Sequence, residues 1–322
     1  MPSIFTTISE YQARLDAREA AALTHLVEMW ERIEADIVAD LERLITDLEK
    51  SGQGISESAL YRMERYRRLL VQLDDLYAQL ADESLVEIRR TMVDAAGLGE
   101  IMAQAVVAGI TGGQPFGRLP IEALTQITAL AQPGGPLSQI LHDAYPLAAD
   151  ALTKQLISNV GRGKNPRTIL TFARQQGVAA GLNHILLVSR DQSVRAFRQA
   201  SLASYANDPD VIAYRRMAAR QTRTCVMCLA LDGTESPTDQ LMPVHSQDRC
   251  AVVAVVRGFT PTSWKSGREW FGEQSADVQR KMLGPERYRL YKSGVPLTDF
   301  VSVTNHETWG PSLKLRPLAQ MN

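Results

Sequence analysis

The chain has 322 residues, enough for one large or two ordinary domains, and its 45% hydrophobic and 22% charged content is that of a packed globular protein. With 35 basic and 36 acidic residues the formal net charge is -1, so the molecule as a whole carries no electrostatic footprint for nucleic acid or an anionic membrane. No uncharged apolar run approaches a membrane span, and the opening MPSIFTTISEYQARLD lacks the basic-then-apolar order of a signal peptide, which points to a reducing cytosol.

In chain order, 9–50 reads as one long helix. Leu26, Trp30, Ile33, Ile37, Leu41, Leu44 and Leu48 recur in steps of three and four and form one apolar stripe. Gly52-Gln53-Gly54 ends it, and Ser56-Glu57-Ser58 supplies side-chain oxygens to start the next helix. That helix carries Leu60, Met63, Leu70, Leu73, Tyr77 and Leu80 on one side, so the pair predicts an antiparallel helical hairpin. The basic run RMERYRR (62–68) includes Glu64 and is followed by Asp74 and Asp75, which marks a solvated face rather than a nucleic-acid contact.

A third helix is expected over 85–110, then a Gly/Pro-rich loop over 111–120 and a helix near 121–131. Pro133-Gly134-Gly135-Pro136 is the strongest break, and it divides an N-terminal helical region, 1–135, from a C-terminal region, 136–322. Helices are expected at 137–159, 166–176 and 182–205. Between the first two, GRGKNP (161–166) lacks the spacing and preceding strand of a phosphate loop and reads as a helix cap with Pro in the first turn. Arg190, Arg195 and Arg198 lie on the last of these helices, with only Arg195 and Arg198 spaced as neighbours. Asn207-Asp208-Pro209 closes it, and a strand is expected over 211–219.

All three cysteines then fall within 26 residues, as C-x2-C (Cys225, Cys228), sixteen residues, and H-x4-C (His245, Cys250). Zinc takes Cys and His in closed tetrahedral sites, commonly as a C-x2-4-C turn plus a distant second pair. Leu231-Asp232-Gly233 is a turn signal, and AVVAVV (251–256) reads as a buried strand, so a thiol-bearing turn would face a strand entry bearing the other two donors. Three thiolates and an imidazole on a divalent ion leave about one negative charge, which Arg220, Arg223 and Arg249 stand near enough in sequence to offset. Unrelated buried thiols are the bland alternative. A disulfide framework fits an odd count poorly, and a zinc deaminase would need an H-x-E element that is absent. A thioredoxin-like pair would open a helix, which Leu231-Asp232-Gly233 argues against. With four donors committed and no position open, a metal here would be structural. His25, His142, His184 and His306 read as ordinary surface or core residues, and no nucleophile, base and orienting group assemble into a catalytic set.

The order of features over about 150–310 resembles the phage head-morphogenesis, or minor capsid, family of the Mu F-like type. The resemblance rests on Ser189-Arg190-Asp191, on Thr224-Cys225-Val226-Met227-Cys228-Leu229-Ala230-Leu231-Asp232-Gly233, and on Pro243-Val244-His245 with Arg249-Cys250. It continues through Trp270-Phe271, Gln279-Arg280-Lys281-Met282-Leu283-Gly284, Tyr288-Arg289-Leu290-Tyr291-Lys292-Ser293-Gly294 and Leu297-Thr298-Asp299-Phe300-Val301. The family's compact His-Pro-x-Cys-Arg-Cys run is loosened here to His245-Ser-Gln-Asp-Arg-Cys250. The resemblance implies a non-enzymatic virion component of the phage head, assembled in a bacterial host cytoplasm, with portal and major capsid proteins as partners and packaged DNA as a further one. Taken together, the expectation is a predominantly helical α+β protein: a long helical hairpin region followed by a smaller α+β domain with a structural zinc on Cys225, Cys228, His245 and Cys250. The alternatives are the delivery domain of a phage-derived toxin, for which little chain follows the last shared motif, and a zinc-stabilised nucleic-acid-binding protein, for which the basic footprint is missing.

Overall fold

The computed structural model describes residues 3–50, 56–114 and 118–321, with side chains at all of these except Ile33, Asp36 and Glu49. The expected stop at Gly52-Gln53-Gly54, the middle of the 111–120 loop and the Ile33 side chain lie outside the described residues. The chain is predominantly helical, with small antiparallel sheets. The elements begin with α1 (Ile4–Lys50), α2 (Glu57–Arg62), α3 (Glu64–Thr111), α4 (Ile121–Ala129), α5 (Pro136–His142), α6 (Ala144–Gly161) and α7 (Pro166–Phe172). A π-helical turn (Ala173–Val178) leads into α8 (Ala179–Ala206). Then come β1 (Val211–Met217), α9 (Val226–Leu231), β2 (Glu235–Ser236), β3 (Ala251–Val256), α10 (Gly267–Gly272), α11 (Ala276–Leu283) and α12 (Pro285–Lys292). A short 3-10 turn precedes β4 (Val301–His306) and β5 (Gly310–Leu315).

These elements fall into two compact units. The helical unit is Ala17–Thr91 with Thr128–Gln192; the cysteine unit holds the residues up to Asp16, Met92–Ile127 and those from Ser193 onward. Each unit is thus drawn from separate stretches of chain, and the 135/136 position falls inside the helical unit, in the turn ahead of α5.

In the helical unit the stripe on α1 is buried at Leu26, Trp30, Ile37, Leu41, Leu44 and Leu48. The facing stripe on α3 is Tyr66, Leu69, Leu73, Tyr77 and Leu80, so Leu69 takes the inward position expected of Leu70, which is half-buried. Asp47 pairs with Arg65 at 2.8 Å and Trp30 stacks on Tyr77 at 5.3 Å; pairs that diverge in sequence away from the connection mark an antiparallel hairpin. Ser56 caps α2, accepting from the Ala59 N–H at 3.2 Å, but Met63 adopts an extended conformation that separates α2 from α3. The basic run is solvated as expected, with Arg68 paired to Glu64 at 2.9 Å and both side chains exposed.

Three boundaries differ from the sequence reading. α3 continues to Thr111 with no stop before 85, because nothing there caps or breaks it. The helix expected over 137–159 divides at Asp143: Pro146 lacks the N–H a continuous helix would use and sits instead in the first turn of α6. Gly177 does not end a helix but lies in the π-helical turn, where a Cβ would come within 2.8 Å of the Leu152 backbone. The cap ahead of α7 is as expected, with Asn165 accepting from Thr168 N–H at 2.9 Å and Pro166 next.

α3 contains an 18-residue window of mean hydropathy 1.4, long and apolar enough to cross a membrane by length and composition alone, and 44% of that window is buried. Met92, Ala95, Ala96, Met102, Ala103 and Val106 are buried at helical spacing, the pattern of a helix packed in a protein core.

In the cysteine unit, β2-β1-β3 form an antiparallel sheet with Tyr214 opposite Ala254 and Arg216 opposite Val252. β3 is buried at all six positions, and β4 and β5 pair as a separate hairpin. α9 packs through Val226, Leu229 and Ala230 on a core of Phe271, Leu283, Leu297, Phe300, Val301 and Leu313. Several tail positions serve that packing directly. Gln279 is buried and its amide donates to Phe271 O (2.9 Å) and Gly272 O (3.2 Å), while Gly284 at φ +75° permits the sharp turn from α11 to α12.

Candidate metal centre

β1 delivers the chain to a tight loop that ends at Cys225, and Cys225 caps α9: its Sγ accepts from the Cys228 N–H at 3.3 Å. The C-x2-C pair therefore opens a short helix, which the sequence did not suggest, and the helix stops within six residues at the Asp232-Gly233 turn. Gly233 has φ +82°, where only glycine is unstrained, and its N–H donates to Arg216 O at 2.9 Å. Asp232 is fully buried and accepts from Ala218 N–H (2.8 Å), Arg220 (3.2 Å) and the Trp264 indole (3.3 Å), which ties the end of α9 back to β1. Gly267 seals the other side, where a Cβ would meet Leu229 O at 2.5 Å.

The second half of the motif is held by the tail hairpin. Val244 bridges β5, donating to Pro311 O at 3.2 Å and accepting from Leu313 N–H at 2.7 Å, and this fixes the residue before His245. A turn follows in which Asp248 N–H donates to His245 O at 3.0 Å with Gln247 at φ +62°. Cys250 N–H donates to Asp248 Oδ1 at 2.7 Å, and β3 begins at once.

This loop geometry brings the four sequence-predicted residues into one cluster. His245 Nε2 lies 3.0 Å from Cys225 Sγ and 3.2 Å from Cys228 Sγ. The donor atoms of Cys225, Cys228 and His245 are all within 4.8 Å of one another, and Cys228, Asp248 and Cys250 form a second such group sharing Cys228. Tetrahedral zinc with these ligands has donor–donor edges of about 3.6–3.8 Å, so His245 needs to part from the Cys225 and Cys228 sulfurs by only about half an ångström, while Cys250 reaches the set through Cys228. His245 Nδ1 lies 2.6 Å from Ser246 O, an arrangement in which Nδ1–H donates to the carbonyl and Nε2 is left to face the thiols.

The electrostatics of the cluster are those of a set of donors that could hold a cation. Hydrogen bonding to Cys228 holds the Cys225 thiol below its ordinary pKa against the cost of burial, whereas hydrogen bonding to Cys228 and burial push Cys250 well above its own. Crowded thiols cannot all ionise alone; a divalent ion removes the conflict. His245 is pushed up to about 9, first by its hydrogen bond with Cys228 and against burial, so a proton sits where a metal would bind.

The chain matches no protein-family model, no curated protein and no solved structure. What the cluster can do therefore rests on its own chemistry.

Two residues that sequence reasoning missed complete it. Arg216 is the largest fully buried side chain among the described residues, and its Nη2 donates to Asp248 Oδ2 (2.6 Å), Cys228 Sγ (3.3 Å) and Cys250 Sγ (3.3 Å). Arg198, also buried, donates to Asp248 Oδ1 (3.3 Å), Asp248 O (3.2 Å) and Cys250 O (3.0 Å). Burial works against the Asp248 anion, yet Arg198 and Arg216 hold its pKa down at about 2. With both oxygens committed to guanidinium groups, Asp248 is a poorer ligand than His245, which favours the three-thiol, one-imidazole set. The compensating charge comes from Arg216 rather than from the arginines the sequence offered: Arg220 pairs with Asp232, Arg249 pairs with Asp16 at 3.0 Å, and Arg223 is exposed. Strand alternation was the available signal, since one of the adjacent Arg215 and Arg216 must face inward beside Tyr214.

The remaining histidines stand apart from this cluster. His184 Nε2 lies 2.8 Å from Ile140 O, His142 lies 3.4 Å from Asp82, His306 accepts from Thr308 N–H at 3.2 Å, and His25 is exposed.

Proposed function

We propose that the chain is a phage head-morphogenesis, or minor capsid, protein of the Mu F-like type, a non-catalytic part of the virion head. In this reading a structural zinc on Cys225, Cys228, His245 and Cys250 holds its cysteine unit. The observation that carries the reading is the convergence of those four side chains, which lie at the positions where the sequence resembles the family. The tail positions that share the resemblance also have definite packing duties, with Gln279 as a buried clamp and Gly284 in a positive-φ turn.

A zinc in a closed site contributes on the order of 10 kcal/mol to small metal-dependent folds, and here it would tie the start of α9 to the entry of β3. The portal and major capsid proteins are the partners of this reading, with packaged DNA a further one, and assembly takes place in the host cytoplasm. The test is affinity purification of the tagged chain from phage-infected cells: co-isolation of portal protein and procapsids is expected, and their absence would overturn the assignment. Elemental analysis of the same preparation should find about one zinc per chain from the ligand count. A metal-free, fully folded protein would remove the structural ion without touching the assembly question.

A further inference from the structure

The two edges of the β4–β5 hairpin differ. On β5 the outer side is occupied by Val244, which bonds Pro311 O and Leu313 N–H, and Pro311 itself offers no N–H there. On β4 (Val301–His306) the outer side carries no strand, and the pairing with β5 runs without a bulge from Val301 opposite Leu315 to His306 opposite Gly310. Arg316 N–H donates to Phe300 O at 2.8 Å, and this sets the alternation along the ladder. Ser302, Thr304 and His306 bond inward to β5, whereas Val301, Val303 and Asn305 turn their N–H and C=O groups outward. Among the described residues no backbone group meets the outward edge of Val303 or Asn305. Soluble proteins ordinarily blunt such an edge with lysine, proline, a bulge or a covering segment. The strand VSVTNH has no lysine, proline or acidic residue. Its Val303 is 52% exposed on the same face as the buried Val301 and Leu313.

We propose that β4 is a self-pairing edge: a second copy of the chain lays its own β4 antiparallel on it, in register at Val303, to form a sheet in the order β5-β4-β4-β5 about a two-fold axis. The strand itself favours a copy over an unrelated partner. Its outward groups fall symmetrically about Val303, so Val303 meets Val303, Val301 meets Asn305, and each outward N–H finds a carbonyl of the copy. Within the strand no like charges come opposite each other; Asp299 and Glu307 would meet only at the rim, where water and salt screen them. Because the far side of β5 is already taken, the pairing closes at two chains instead of growing into a fibre. It also turns a two-stranded ribbon into a four-stranded sheet and covers Val303. A strand pair of this length buries far less than the roughly 1,200 Å² of a standard interface, so the dimer is a weak one. The inference stands independently of the metal and of the virion reading.

The test uses the full chain over a concentration series, with sedimentation to read mass and residue-resolved hydrogen exchange to read the edge. A dimer is expected to form at or below about 1 mM and to tighten with added salt. The amides of Val303 and Asn305 should pass from fast to slow exchange in step with it, while Thr304 stays protected throughout. Val303→Pro removes an outward N–H that β5 does not use. The two-fold axis makes that two lost bonds, so the dissociation constant should rise about tenfold or more with Thr304 still protected. Val303→Lys sets two ammonium groups face to face and should leave only monomer. The exchange series on the unaltered chain needs no variant, so it stands even if a variant folds poorly. A chain that stays monomeric to about 1 mM would overturn the proposal and leave the edge to a strand of different sequence. A dimer in which Val303 and Asn305 remain fast, or one that Val303→Pro does not weaken, would overturn it as well. So would slow exchange at Val303 in the monomer, which would mean the edge is covered within the chain.

Discussion

The helical unit and the sheet region of the cysteine unit are held together by different physics. In the first, Leu41, Leu44, Leu73, Leu80 and their neighbours bury apolar surface along stripes, a contribution of about 1.5–3 kcal/mol per side chain that depends little on any one partner. In the second, β1, α9, the 243–250 loop and β3 meet around Arg216, Asp248, Arg198 and three thiols, all polar or ionisable. Such a network is stable only when every member is satisfied, so it fails as a set. The contrast teaches where a single substitution will act broadly and where it will be absorbed.

The largest separation between the two should come from the proposed zinc. On that proposal, chelation or Cys225→Ser is expected to abolish hydrogen-exchange protection over 211–256, while helical circular dichroism from α1 and α3 persists. Parallel loss of both signals would mean the two regions do not differ in this way. Next is Asp248→Asn, which leaves Arg216 and Arg198 facing each other without an anion; breaking a buried pair costs about 3–5 kcal/mol, to be read as a lowered urea midpoint. If Asp248→Asn costs no more than an exposed ion-pair deletion such as Glu64→Gln, the network is not what holds the loop. Leu41→Ala should cost about 2–5 kcal/mol through the cavity it leaves, with zinc content unchanged, so it sharpens the comparison from the helical side. Smallest is Asn165→Ala, which removes the cap on α7 for about 1 kcal/mol and should leave the cysteine cluster unaffected by thiol-reactivity measurements.

Much of this architecture was readable before any coordinates, and the reason is that its signals are local. The α1 stripe, the serine start of α2, the Asn165-Pro166 cap and the AVVAVV strand each follow from neighbours a few residues apart, where periodicity and capping act. The meeting of Cys225, Cys228, His245 and Cys250 was legible for a related reason: soft donors at ligand spacing have few other uses. Tertiary structure alone decided the rest. It drew each unit from separate stretches of chain, made one helix of 64–111, and chose Arg216 over Arg220, Arg223 and Arg249 as the charge beside the thiols. Those outcomes depend on which backbone segments lie opposite one another across dozens of residues, and Coulomb pairing inside a low-dielectric interior responds to that distance in space rather than to separation along the chain.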